Sequence, residues 1–153
     1  MFKIKQIVPS GFCLRCDGCC RFSQLDTIWQ PHLLNEEQKK LSKKVYLIPN
    51  IQQGNFMCVS FNHKTHKCKI YARCPFECQL YPFLISRKGK NIFLAVDLKC
   101  LFVQKNLKTK KFKEYLQYLT NFFSRPRYKK SLKDNPQLIQ NYPGLINLVE
   151  LKF

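Results

Sequence analysis

Phe12-Cys13-Leu14-Arg15-Cys16-Asp17-Gly18-Cys19-Cys20-Arg21 packs four thiols into eight residues. Such a run is too small and too polar to be a buried helix or strand, and with Gly11 ahead of it the stretch 11–20 reads as a loop. Two cysteines separated by two residues can turn back and set both sulfurs near 2.3 Å from one metal ion. A third at the same interval narrows the chemistry, because C-x2-C-x2-C wraps three corners of a [4Fe–4S] cube in bacterial ferredoxins and leaves the fourth to a remote cysteine. Zinc sites more often take their ligands as two separated pairs. Cys19 and Cys20 are adjacent and are expected to point apart, towards different metals or different corners. Gly18 is expected where a ligand loop needs a backbone conformation that a Cβ would forbid.

Five more cysteines follow outward from this run: Cys58, Cys68, Cys74, Cys78 and Cys100. Cys58 and Cys68 flank a hairpin signal at Asn62-His63-Lys64-Thr65 and could face each other across it. Pro75 removes a donor and fixes φ in Cys74-Pro75-Phe76-Glu77-Cys78, stiffening that loop. A lone cysteine is usually a small core hydrophobe, but nine cysteines within residues 13–100 are not lone. The count is odd and no export signal is visible, which argues for reduced metal ligands over a disulfide framework. Met1 to Val8 alternates lysine with apolar residues and reads as a first strand, so the expected location is cytoplasmic, where thiols stay reduced.

The chain has 153 residues, 45% of them apolar, with 13 Phe and 7 Tyr. That is enough for a core, and no stretch approaches the roughly 20 apolar residues of a membrane span. The formal charge is +18, from 27 Lys and Arg against 9 Asp and Glu. Eight thiolates on two Zn²⁺ would offset roughly 4 of those charges, and the basic surface that remains attracts anionic partners of any kind.

The expected architecture is α+β: a small cysteine-rich module of loops and short β-hairpins over 1–103, with a basic helical C-terminal extension over 104–153 packed on it. A helix opens at Asn35, capped back by Gln38, and runs to about Lys44. Phe56 to Phe61 and Lys67 to Tyr71 are strand-like, as are Phe83 to Ser86 and Asn91 to Val96 around Arg87-Lys88-Gly89-Lys90. In the extension, Leu107, Phe112, Tyr115, Leu116, Leu119, Phe122 and Phe123 recur at helical spacing. Pro126 should stop that helix, and a second is expected to begin at Asn135-Pro136. A last apolar run, Leu145 to Leu151, is expected to dock on the core.

The arrangement Phe12-Cys13-x-x-Cys16-x-Gly18-Cys19-Cys20-Arg21, Cys58, Cys68-Lys69-Ile70-Tyr71, Pro75-x-x-Cys78-x-x-Tyr81-Pro82-Phe83 and Cys100 resembles the YkgJ-type cysteine-cluster family, also known as the zinc- or iron-chelating CxxCxxCC domain. The resemblance spans about residues 10–100. It implies eight metal ligands: Cys13, Cys16, Cys19, Cys20, Cys58, Cys68, Cys78 and Cys100. The family has Arg-Pro where this chain has Cys74-Pro75, so the resemblance leaves Cys74 as a substituted residue outside the ligand set. Flagellin lysine N-methylases share the cysteine motif but are longer, and no Gly-rich adenosylmethionine or phosphate loop is present here.

Other side chains are weighed against this reading. His63 and His66 lie beside Cys68 and could ligate zinc, though a Lys-rich turn is more often simply solvated. Asp17, Asp26, Glu77 and Asp97 are the carboxylates nearest to cysteines, and pairing with Arg or Lys is expected of them. Trp29 and His32 are expected to pack the first helix. The function expected is therefore metal binding, through a [4Fe–4S] centre or zinc, with the triple spacing favouring iron. Two rivals stand beside it. One is a nucleic-acid-binding zinc module using the aromatics and cations of Phe122-Phe123-Ser124-Arg125-Pro126-Arg127-Tyr128-Lys129-Lys130, with weak, sequence-blind affinity. The other is an enzyme or subunit related to the lysine methylases. A protein partner is compatible with all three.

Overall fold

The computed structural model describes residues 3–13, 16 and 18–152. It is α+β, and the chain divides into two compact units, Met1–Gln79 and Leu80–Phe153. The contacts thus divide the chain before the second hairpin, which joins the C-terminal residues in one unit.

In the first unit, residues 3–9 form no helix or strand. The alternation there buries Ile4, Ile7 and Val8, but the Ile4 N–H donates to a side chain, Gln79 Oε1 at 3.4 Å, instead of a neighbouring strand. Helix α1 (Ser10–Cys13) follows, and Gly18–Cys20 forms a 3-10 turn, so the expected open loop is partly helical. Strand β1 (Arg21–Phe22) precedes α2 (Asn35–Leu41). The cap of α2 lies one residue earlier than expected: Glu37, not Gln38, folds back to accept from the Leu34 N–H at 3.0 Å. Strands β2 (Leu47–Asn50) and β3 (Asn55–Cys58) form a hairpin, and β1 adds antiparallel to the other edge of β3. The Asn62 turn closes only a two-residue ladder, β4 (Phe61–Asn62) with β5 (Lys67–Cys68), while Tyr71 starts a 3-10 turn. Helix α3 (Phe76–Leu80) begins in this unit, and its last residue is the first of the next.

The second unit is built on a longer hairpin, β6 (Phe83–Lys88) with β7 (Asn91–Val96), turning at Gly89 with φ 60°. A Cβ is disfavoured there, so glycine is the natural residue. Helix α4 (Leu101–Asn106) leads into α5 (Lys110–Ser124). Thr109 starts α5 by accepting from the Phe112 N–H at 3.2 Å, the ordinary role of a threonine N-cap. Phe112, Tyr115, Leu119, Phe122 and Phe123 form the buried face of α5. Phe83 on β6 stacks on Phe112 at 5.4 Å and meets Tyr115 at 5.4 Å. Pro126 does end α5, but it also opens α6 (Pro126–Asp134) as its first residue, where the missing N–H costs nothing. Asn135-Pro136 starts only a 3-10 turn, Pro136–Leu138.

The C-terminal run completes a sheet. Strand β8 (Ile139–Gln140) pairs parallel with β6, and β9 (Ile146–Glu150) pairs antiparallel with β7, giving the order β8-β6-β7-β9. The last part of the extension is therefore strand, not helix, with β-branched Ile146 and Val149 suiting an edge ladder.

Candidate metal centre

Eight cysteines, at positions 13, 16, 19, 20, 58, 68, 74 and 78, belong to the first unit, and Cys100 belongs to the second. Short elements position the first four. Cys13 ends α1, and the Cys16 N–H donates to the Cys13 carbonyl at 3.1 Å, which turns the chain back across C-x2-C. The 3-10 turn then carries Cys19 and Cys20 side by side with their sulfurs 3.9 Å apart. This corrects the expectation that the two point apart: the tight turn brings them together. Two thiolates on one tetrahedral ion with bonds of about 2.3 Å stand roughly 3.8 Å apart, so this pair already has the spacing of shared ligation. Gly18 is not forced by backbone strain. Its φ is not positive, and a Cβ there would meet Cys16 Sγ at an ordinary 3.8 Å.

The second group comes from four different elements. Cys58 ends β3 opposite Leu47, and Cys68 on β5 pairs with Phe61. The two are therefore not cross-strand partners in one ladder, yet the Cys68 charge raises the Cys58 pKa. Cys74 caps the 3-10 turn Tyr71–Arg73, its N–H directed to the Tyr71 carbonyl. Cys78 lies one turn further on, within α3.

Electrostatics tie the two groups together. A hydrogen bond with Cys19, then burial, then the charges of Cys19, Cys78 and Cys58 push the Cys20 thiol far up. Burial followed by the charges of Cys74, Cys19, Glu77 and Cys58 raises Cys78. Burial and the Cys68 charge push Cys74 up to about 11, and burial raises Cys58 and Cys68. The Tyr71 phenol is raised by burial and by the charges of Cys13, Cys74, Cys68 and Cys19, and it donates to Gln6 Oε1 at 3.0 Å. These influences link Cys19 and Cys20 with Cys58, Cys68, Cys74 and Cys78 within the first unit.

The donor set is soft thiolate throughout, the chemistry that selects zinc, iron–sulfur clusters or other thiophilic metals. Among the described residues no three Cys, His, Asp or Glu side chains stand ready-made around one point. The residues fit a thiophilic metal.

Glu37 is a site residue that the sequence reading missed. It is 1% exposed and accepts from two backbone donors, Leu34 at the start of α2 and Phe76 at the start of α3 (2.8 Å). Burial raises its pKa while both hydrogen bonds lower it. One carboxylate thus pins the segment that carries Cys74 and Cys78. Glu77, beside Cys78, accepts from the His32 backbone N–H and lies 3.2 Å from His32 Nδ1. The only sequence signal for Glu37 was its place in Asn35-Glu36-Glu37-Gln38, where three side chains compete for the same capping role.

The remaining candidates sort by environment. His66 adopts φ 53° and sets its ring edge-on to Phe61 at 6.1 Å, while His63 is half-buried in the same turn. Asp97, in the second unit, accepts from Tyr81 Oη at 3.2 Å and from the Lys99 N–H at 2.8 Å; Asp17 lies outside the described residues. Cys100 precedes α4 as its N-cap and is buried. Phe122 and Phe123 are buried, and Tyr128 stacks on Phe122 with centroids 3.7 Å apart. No helix among the described residues is long and apolar enough to cross a membrane.

Comparison with curated proteins and with solved structures found no match. A family model does match: CxxCxxCC, described as "Putative zinc- or iron-chelating domain", covers residues 12–117 and so takes in all nine cysteines. The chain belongs to the CxxCxxCC family of zinc- or iron-chelating domains.

Proposed function

We propose that this chain is a thiolate metal protein holding an iron–sulfur centre of the [4Fe–4S] type, with ligands drawn from Cys13, Cys16, Cys19, Cys20, Cys58, Cys68 and Cys78 of the first unit. The observation that supports it is the gathering of thiols from α1, the 3-10 turn, β3, β5 and α3 into one electrostatic neighbourhood. The three-fold C-x2-C-x2-C spacing at Cys13, Cys16 and Cys19 selects iron. Such a centre would supply one-electron chemistry or structural support. The chain's own part is to fix the thiolates.

Zinc is the second reading, favoured by the 3.9 Å between the Cys19 and Cys20 sulfurs. Cube-corner thiolates belong to different irons and diverge, whereas a mononuclear tetrahedral ion takes two sulfurs at this spacing. A nucleic-acid role has less support. Base stacking needs available aromatic faces, and Phe122 and Phe123 are consumed by the core of the second unit.

Anaerobic purification with iron, zinc and acid-labile sulfide analysis decides between the metals. The proposal expects brown protein with broad absorption that bleaches on reduction, and iron with matching sulfide. Colourless protein with stoichiometric zinc replaces iron by zinc; protein with neither metal overturns both readings.

A further inference from the structure

The cations of this chain are not evenly spread. Residues 105–134 hold ten of its 27 Lys and Arg but only two, Glu114 and Asp134, of its 9 Asp and Glu. They gather at the two ends of α5. Lys105, Lys108, Lys110, Lys111 and Lys113 lie around the α4–α5 junction. Arg125, Arg127, Lys129, Lys130 and Lys133 lie at the α5–α6 junction and along α6. All are exposed except Lys129, which is half-buried. Between the clusters α5 presents uncharged Gln117 and Asn121, bonded to each other at 3.0 Å. At a rise of about 1.5 Å per residue, its 15 residues set the clusters roughly 22 Å apart. Tyr128 stacks on Phe122 and ties α6 to the end of α5, so both clusters ride on one packed helix pair.

Fold stability does not explain this placement. The start of a helix favours negative side chains and its end positive ones. Helix α2 follows that rule, with Glu36 and Glu37 in its first turn and Lys39 and Lys40 in its last. Helices α5 and α6 reverse it. Neither has an acidic residue in its first turn, where α5 carries Lys110, Lys111 and Lys113 and α6 carries Arg127 and Lys129. The Lys110–Glu114 pair, 3.8 Å apart, is open to water on both sides, and exposed pairs contribute little. Two consecutive helices thus break the same local rule, and such breaks are expected where function, not folding, sets the sequence.

The partner's chemistry follows from what this face offers. A lipid surface is held by a helix whose apolar side enters the bilayer, and the apolar side of α5 is taken up by Phe112, Tyr115, Leu119, Phe122 and Phe123 in the core. Single strands stack on available aromatic faces, and Phe122 and Phe123 are buried. A duplex requires neither. It presents one negative charge per roughly 1.7 Å of axis, so about 22 Å of it offers on the order of ten phosphates to a cationic face.

We propose that the α5–α6 face binds the phosphate backbone of double-stranded nucleic acid without reading its sequence. The inference is independent of which metal the first unit holds.

The test titrates the full-length chain, purified anaerobically, against a fluorescein-labelled DNA duplex of roughly 20 base pairs at about 50 to 200 mM KCl. Log affinity should fall linearly with log salt, by about 0.9 for each phosphate contacted, giving a slope of about −4 or steeper. One variant combines Lys110→Gln, Lys111→Gln and Lys113→Gln; another combines Arg125→Gln, Lys130→Gln and Lys133→Gln. Each should flatten the slope by about 2 to 3 units. Removing the same charge from the first unit, with Lys39→Gln, Lys40→Gln and Lys43→Gln, should flatten it by less than about one unit. The α5 variant should also melt no lower than wild type, because its lysines oppose the field of their own helix. Binding lost together with a lowered melting temperature assigns those lysines to the fold and overturns the proposal. No binding at about 50 mM salt, an equal effect of the first-unit variant, or tighter binding to phosphatidylserine vesicles than to duplex overturns it as well.

Discussion

Ten of the twelve largest fully buried side chains belong to the second unit, among them Phe83, Phe112, Phe123, Leu94 and Leu119, whereas the first unit supplies only Leu34 and Glu37. The ladders differ in the same sense. The β6–β7 hairpin pairs six residues on each strand, while β4 and β5 pair two and β1 adds two. Residues 80–153 therefore close a conventional apolar core between a sheet and an amphipathic helix. Residues 1–79 have short ladders, few fully buried apolar side chains and eight thiols. At this size a core of that kind rarely stabilises a unit without a staple. On the proposed reading, one chain carries two answers to the cost of ordering, apolar burial in one unit and metal–thiolate bonding in the other.

The comparison breaks most visibly when the thiols are removed. Structural zinc supplies about 10–16 kcal/mol of apparent folding free energy in small thiolate domains. Cys16→Ser with Cys19→Ser should therefore abolish ordered structure in the first unit, read as lost amide protection over residues 3–79, while the second unit still melts cooperatively. Next in size, Phe112→Ala removes a ring stacked on Phe83 and should cost the second unit about 3–5 kcal/mol. Urea unfolding followed by far-ultraviolet circular dichroism should show it, with metal content unchanged.

Glu37→Ala comes third. It leaves the Leu34 and Phe76 N–H groups without their acceptor, at about 1–3 kcal/mol for each buried donor left unsatisfied. It should also weaken metal binding through the Cys74–Cys78 segment, whereas Glu37→Gln, which keeps an acceptor oxygen, should do so less. The smallest effect is one of pH. Burial keeps the thiols of the folded first unit protonated above the ordinary thiol range, with Cys74 pushed up to about 11. Ligation must release those protons, so metal affinity rises with pH. Cobalt titrations at about pH 6, 7 and 8 should show binding that strengthens at each step.

What could be read from the residues alone follows from how local each signal is. The β6–β7 hairpin and the buried face of α5 are periodic patterns confined to adjacent residues, and both were legible. The strand character of Ile146–Glu150 was not, since its apolar run becomes a strand only through pairing with β7 more than fifty residues earlier in sequence. Pro126 was legible as a stop but not as a start, because one residue satisfies both geometries. The thiol inventory was plain from spacing, but the double role of Glu37 depends on Phe76, nearly forty residues away. The convergence of the Cys19 and Cys20 sulfurs depends on a 3-10 turn that a Gly- and Cys-rich run does not announce.

The central claim is that metal holds the first unit and apolar burial holds the second. Hydrogen–deuterium exchange resolved along the chain, before and after anaerobic chelation, tests it most directly. Chelation should strip protection from amides of β3, β5 and α3 in the first unit, while β6, β7 and α5 keep theirs within about twofold. Equal loss across both units, or no loss in the first, would contradict the account.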